Sequence, residues 1–165
     1  MKKIFAIIIL SVLSVGYMGN HIVYAEESDY EVYEKRQKPA DKKLLQAVEL
    51  RDFDYMVEAI KEGANVNTTN YSGNTPLIIA SGYGLKDIAE YLLKNKANVN
   101  VANNNFGQTA LMVASTRGDV EIVKLLIAHK ADVNLRTSLG TSACDYAKRN
   151  EHTEIIEILK AAGAK

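Results

Sequence analysis

Apolar residues recur along most of this chain at the spacing of short amphipathic helices. Segments 88–93 and 122–127 each place apolar residues at i, i+1, i+4 and i+5. A shorter apolar stripe precedes each of them, at 77–80 and 111–114. The pattern predicts pairs of short helices, each with one apolar face that has to be buried.

The helix pairs belong to a sequence repeat with a period of 33 or 34 residues. Segments 73–80, 107–114 and 140–147 align with one another. Two series of alanines are spaced by 33, 34 and 33 residues: Ala47, Ala80, Ala114 and Ala147, and Ala64, Ala97, Ala131 and Ala164. A helix pair of this size cannot bury its own apolar face, so we expect the units to stack on one another.

Residues that favour the start of a helix stand at the same place in three units. Thr75, Thr109 and Ser142 can each accept a hydrogen bond from the backbone of a first helical turn. Pro76 follows at the first helical position, where its missing N–H costs nothing. These positions predict where the first helix of each unit begins.

The units resemble ankyrin repeats, whose pattern is roughly G-x-T-P-L-H-x-A, then an I-V-x-L-L helix, then G-A-x-V-N. Segment 73–80 carries the first part of the pattern and segment 63–67 the last. The resemblance implies an all-α solenoid of about four helix-turn-helix repeats with projecting β-hairpin loops, over residues 41–165. The repeats are placed at 41–67, 68–100, 101–134 and 135–165.

The sequence departs from this pattern in two ways. The histidine of T-P-L-H is replaced in three units, by Ile78, Met112 and Asp145. We expect the local hydrogen bonds of that histidine to be missing. Lys96 and Lys130 stand where a glycine usually ends the second helix, and a left-handed residue other than glycine costs about 1 kcal/mol. Gly63 and Gly163 keep the glycine and predict left-handed helix ends.

The first 25 residues have the features of a cleavable signal peptide. Lys2 and Lys3 precede a largely apolar run at 4–15, which is short for a membrane span. Val23 and Ala25 stand at the positions that a signal peptidase reads. We expect an exported chain, periplasmic or secreted, of bacterial type; the alternative is a retained N-terminal anchor. Residues 26–40 carry many charges and no apolar stripe, which predicts a flexible leader.

The charge balance gives no reason to expect a nucleic-acid partner. The whole chain has 20 basic and 20 acidic residues. Residues 1–25 hold two lysines and no acid, so the remaining chain has 18 basic against 20 acidic residues, a net charge of −2. Phosphate binding requires clustered positive charge, which this balance does not favour.

An enzyme would have to use Cys144, Asp145 and His152, which could act as nucleophile, acid and base. In the repeat register, however, Cys144 aligns with Leu77 and Leu111, which face the predicted core. An apolar setting opposes ionisation of a thiol, so we expect no catalysis, and a small hydrolase is the rival hypothesis.

No cofactor or metal site is expected. The three histidines, His21, His129 and His152, are scattered without the spacing of metal ligands, and no glycine-rich phosphate loop is present.

The resemblance implies that a partner is bound by the loop tips and the exposed positions of the first helices, which line a concave face. Transferred to this sequence, that surface comprises Tyr71, Ser72, Asn74, Tyr83, Asn105, Phe106, Gln108, Arg117, Ser138, Leu139 and Arg149. The bulky tips Tyr71, Phe106 and Leu139 are of most interest, because aromatic and arginine residues are enriched at interface hot spots. The alternative is that these tips pack on the neighbouring loops.

We therefore expect an exported, monomeric protein-binding module that serves as an adaptor or scaffold, with no membrane insertion after signal cleavage. An inhibitor or protective partner of an exported enzyme, and a secreted effector, are alternatives that the sequence leaves open.

The mature protein is predicted to begin at Glu26, because the apolar run is short and Ala25 completes a cleavage triplet. The intact mass of the natively exported protein measures this directly. A mass that includes residues 1–25 would identify an N-terminal anchor instead.

Overall fold

The computed structural model describes residues 17–18, 21–22 and 27–165, with side chains from Tyr30 onward. The chain divides into two units, residues 1–37 and 38–165. In the first unit, β1 (Tyr17–Met18) pairs antiparallel with β2 (His21–Ile22). The rest of the expected signal peptide, including its cleavage site, lies outside the described residues.

The expected flexible leader contains a ten-residue helix, α1 (Glu27–Arg36). Side-chain pairs one helical turn apart accompany it: Glu31 and Lys35 are 3.5 Å apart, and the hydroxyl of Tyr30 donates to Glu34 at 3.3 Å. Such pairs and the basic last turn stabilise a helix that has no apolar stripe. Cleavage and the domain boundaries themselves remain predictions.

The second unit consists of eight helices in four antiparallel pairs. The first helices of the pairs lie side by side, and so do the second helices of the last three pairs. This confirms the all-α solenoid of four helix-turn-helix repeats. The pairs are α2 (Pro39–Glu49) with α3 (Phe53–Lys61), α4 (Pro76–Tyr83) with α5 (Lys86–Lys94), α6 (Ala110–Arg117) with α7 (Val120–Ala128), and α8 (Ala143–Arg149) with α9 (Thr153–Ala161).

The predicted helix starts are confirmed. The hydroxyl oxygen of Thr75 accepts from the backbone N–H of Ile78 at 3.2 Å, and that of Thr109 accepts from Met112 at 3.4 Å. Pro76 occupies the first helical position of α4. Each cap satisfies a backbone donor that the helix itself leaves unpaired.

In the last repeat, Ser142 and Asp145 form hydrogen bonds at the start of α8, where the repeat pattern has its histidine. Ser142 caps α8 by accepting from the N–H of Asp145 at 3.2 Å, and the Asp145 carboxylate accepts in return from the Ser142 N–H at 3.0 Å. This reciprocal capping box corrects our expectation that local hydrogen bonds are missing at Asp145. The bonds donated by Ser142, first that of its backbone N–H, lower the pKa of the Asp145 carboxyl.

One apolar core runs through all four repeats. The alanines of the first series, Ala47, Ala80, Ala114 and Ala147, are all fully buried in this core. Larger side chains fill the space between the two helix layers, among them Leu44, Met56, Leu77, Leu92, Leu111, Ile122, Leu126, Ile155 and Leu159. The core therefore depends on contacts between repeats as well as within them.

A ladder of asparagines links consecutive repeats along a second line. The side-chain oxygen of the last asparagine in each repeat accepts from a backbone N–H of the next: Asn98 donates to Asn67 at 2.7 Å, Asp132 to Asn100 at 2.8 Å, and Lys165 to Asn134 at 3.0 Å. Within the first repeat, which has no preceding repeat of this series, Asp41 plays the same part and accepts from the N–H of Asn65 at 2.6 Å. These asparagines are structural.

The ends of the second helices have the left-handed backbone that the sequence predicted. Gly63 and Gly163 have φ values of +88° and +93°. Lys96 and Lys130 hold the same position with φ values of +67° and +65°, so two side chains stand in a conformation that favours glycine.

Lys96→Gly is predicted to raise the free energy of unfolding by about 0.5–1 kcal/mol, because it relieves the left-handed strain and removes only an exposed side chain. Gly63→Ala is the matched control and should lower stability, although no atom lies within 4 Å of the added methyl group. Urea unfolding of the three proteins measures both effects. A loss of stability in Lys96→Gly would contradict the interpretation.

Candidate functional site

The loops between repeats end in tight turns. Gly73, Gly107 and Gly140 take φ values of +75°, +72° and +76° at the tips. Within the described residues the loops of the solenoid contain a single isolated bridge, between Arg136 and Ser142. Backbone hydrogen bonds close each tip, and the projecting β-hairpins remain a prediction.

Neighbouring tips are tied to each other by their backbones. The N–H of Asn104 donates to the carbonyl of Ser72 at 3.2 Å, and the N–H of Ser138 donates to the carbonyl of Phe106 at 3.0 Å. The side chain of Asn103 adds a bond to the side-chain oxygen of Asn74 at 2.9 Å. The tips consequently form one continuous edge of the solenoid.

The predicted site residues on this edge differ widely in exposure. Leu139 is 81% exposed, and Asn105 and Ser138 are also exposed. Tyr71, Asn74, Phe106 and Gln108 are half-buried, and Ser72 is buried. Leu139 is thus the most exposed of the three bulky tips, whereas the side chains of Tyr71 and Phe106 are partly buried against the rest of the solenoid.

The remaining predicted residues each lie at the last position of a first helix. Tyr83 ends α4, Arg117 ends α6 and Arg149 ends α8, and all three side chains are exposed. Gln108 connects the tips to this row, because its side-chain amide donates to the hydroxyl of Tyr146 at 3.0 Å. The guanidinium of Arg149 lies 6.0 Å from the same tyrosine ring.

The structure adds residues that the sequence analysis missed. The guanidinium of Arg51 stacks on the ring of Tyr83 with its carbon 5.0 Å from the ring centroid, and Leu50 beside it is 63% exposed. Arg51 also has a left-handed φ of +60°, at the register position held by Gly84 and Gly118. The repeat register could have indicated Leu50, which is 33 residues before Tyr83. It could not have indicated the contact between Arg51 in the first repeat and Tyr83 in the second.

The chemical groups of the rival hydrolase are not arranged for catalysis. Cys144 is 3% exposed, in the core position that its register predicted. Asp145 is engaged with Ser142, and the His152 ring lies against Gly118 with Nε2 3.1 Å from the carbonyl of Thr116. Each group has a structural partner outside the proposed triad.

The described residues contain no group of three or more His, Cys, Asp or Glu side chains placed to hold a metal ion. None of the described helices is long and apolar enough to cross a membrane.

The second helices carry charges that neutralise one another. Lys86 and Glu121 are 2.9 Å apart, on α5 and α7, and Lys124 and Glu154 are 3.2 Å apart, on α7 and α9. Glu90 and Lys94 form the expected pair one turn apart, at 2.7 Å. The outer layer is therefore a solvated surface whose charges are mostly matched.

Comparison with known families agrees with this architecture. A family model described as ankyrin repeats (3 copies) matches residues 101–165, and one described as ankyrin repeats (many copies) matches residues 60–105. The chain is an ankyrin-repeat protein. A comparison with curated proteins finds no match. Ankyrin repeats are generally protein-interaction modules and typically have no catalytic activity, which supports a binding role for this ankyrin-repeat protein.

Cys144→Ser is predicted to lower the stability of this ankyrin-repeat protein without changing its binding. The side chain is buried in the core, and a buried hydroxyl without a partner costs about 1–3 kcal/mol. Thermal unfolding and partner binding should be measured on the same variant. Loss of an activity at an unchanged thermal midpoint would mean that the thiol has a functional role.

Proposed function

We propose that this chain is an exported protein-binding module, an adaptor or scaffold that acts as a monomer and has no catalytic activity of its own. The observation that carries the proposal is the contrast between the two helix layers. The outer layer matches its charges internally, whereas the tips and first-helix ends leave Leu139, Leu50 and Tyr83 exposed at 81%, 63% and 40%. Exposed apolar and aromatic side chains on one side of a soluble domain are typical of an interaction surface.

The binding surface in this proposal is the concave face of the ankyrin fold, formed by the tips and the first helices. Its partner is another protein, because the surface is extended and mixed in polarity. Export rests on the signal-like segment at 1–25. No membrane insertion is proposed once that segment has been removed.

Capture of the partner from the envelope and secreted fractions, followed by mass spectrometry, is the first experiment. A partner that is an exported enzyme would favour the inhibitor or protective role over the adaptor role. Capture in the cytosolic fraction alone would contradict export.

Replacement of the tips by alanine is predicted to weaken binding to that partner. At an interface hot spot such a change costs about 2 kcal/mol, or about thirtyfold in affinity. We expect the largest separation of binding from stability at Leu139→Ala, because that side chain is mostly exposed, whereas Tyr71→Ala and Phe106→Ala should also lower stability. Calorimetry measures affinity, and urea unfolding measures stability.

The matched control is the double variant Glu90→Ala with Lys94→Ala, which removes a matched pair from the outer layer. It should leave affinity unchanged. If the outer-layer variant weakens binding and the tip variants do not, the proposed face is wrong.

A further inference from the structure

Three exposed arginines and one tyrosine lie at or just beyond the ends of the first helices. We name them the arginine–tyrosine strip and define it as Arg51, Tyr83, Arg117 and Arg149. Its members come from all four repeats, one from each. Arg51 stacks on Tyr83, and Arg117 bonds to the carbonyl of Gly82 beside that tyrosine, so these members adjoin one another on the proposed binding face.

Two arginines of the strip are held in place without a carboxylate partner. The guanidinium of Arg51 stacks on Tyr83, and that of Arg149 on Tyr146. Among the described residues, neither has a carboxylate oxygen within 4.0 Å of its guanidinium. Arg117 donates to the carbonyl of Gly82 at 3.2 Å, and its contact with Asp119 is long, at 3.9 Å.

The backbone at Arg51 allows a matched variant for the test. Its φ of +60° lies in the left-handed region, where the two central repeats have Gly84 and Gly118 and the last repeat has Glu151 at +59°. The strain is thus a feature of this turn, and glycine can replace Arg51 without any cost in backbone strain.

We propose that the strip recognises carboxylates of an extended acidic segment on the partner protein. This inference rests on the binding function proposed above. Arginine suits the task because its planar fork of donors matches a carboxylate and because it already stacks on the tyrosines, which reduces the entropy lost on binding. An extended segment advances about 3.3 Å per residue, so about eight residues span the intervals of 8–10 Å between the first helices of the four repeats.

A protein segment fits the strip better than a nucleic acid does. Acidic residues are interspersed with the arginines: Glu49 lies on α2, Asp119 near Arg117, and Glu151 at the turn after α8. A continuous row of phosphates would be repelled at these points, whereas a peptide can place its carboxylates beside the arginines alone.

The test uses the full chain and three rhodamine-labelled twelve-residue peptides of alternating sequence: Glu-Leu, Gln-Leu and Lys-Leu. Fluorescence anisotropy should show the Glu-Leu peptide binding about tenfold tighter than the Gln-Leu peptide, and the Lys-Leu peptide binding weakest. The preference for glutamate should shrink when sodium chloride is raised from about 50 to 500 mM, because exposed charges are screened.

Arg51→Gly and Arg117→Gln should each weaken binding of the Glu-Leu peptide about tenfold and leave binding of the Gln-Leu peptide unchanged. Arg51→Gly removes the left-handed strain, so its loss of binding should occur without loss of folding, measured by urea unfolding. Glu151→Gly, whose φ is +59°, and Lys94→Gln on the outer layer are the matched controls and should not weaken binding.

Equal affinity for the Glu-Leu and Gln-Leu peptides, no binding of the Glu-Leu peptide, or equal effects of the arginine variants and their controls would overturn the inference. Tighter binding of a twelve-residue oligothymidine than of the Glu-Leu peptide would overturn it in favour of nucleic acid. If the Gln-Leu peptide binds as tightly as the Glu-Leu peptide and Leu139→Ala weakens both, the proposed binding face stands and only its acidic specificity is lost.

Discussion

Close approach of the first helices of successive repeats is the constraint on which this structure depends. Each of the four first helices carries one alanine of the first series, and all four alanines are fully buried. A larger side chain would separate the helices and open the packing on both sides, because protein interiors are close-packed. The spacing of the stacked helices in turn sets the distance at which the asparagine ladder and the loop tips can bond to the next repeat.

Features encoded within one repeat could be predicted from the sequence. The caps at Thr75 and Thr109, the glycine helix ends and the burial of Cys144 depend on residues a few positions apart, or on a register that the alanines define. Helix α1 was missed because its support comes from side-chain pairs on an otherwise polar surface, which leave no apolar periodicity. The capping box of Asp145 was not predicted, because the repeat pattern has a histidine at this position and draws attention only to the loss of that histidine. The Asp145 carboxylate nevertheless accepts a hydrogen bond from the backbone N–H of Ser142.

The candidate site was harder to predict because its geometry depends on contacts between repeats. The register identified Tyr83 and Arg117 as surface positions, but the stacking of Arg51 on Tyr83 joins residues 32 apart and has no local signature. In the same way, Ser72, Asn74 and Gln108 were assigned to the surface, and the structure shows each of them bonded to the following repeat. Sequence position in a repeat gives the side of the solenoid on which a residue lies, and the neighbouring repeat decides how much of it stays accessible.

At the turn between the two helices of a repeat, side chains of the next repeat limit which residues fit. At Gly84 an added methyl group would meet the guanidinium of Arg117 at 2.7 Å, and at Gly118 it would meet the ring of His152 at 2.6 Å. At both positions the left-handed φ favours glycine, and an added side chain would also require its neighbour to move. At the corresponding turn of the first repeat, Arg51 stands in place of glycine, and its guanidinium lies over the ring of Tyr83 from the second repeat. Arg51 therefore keeps the left-handed backbone of Gly84 and Gly118. The turn of the first repeat carries a guanidinium where the turns of the two central repeats have no side chain.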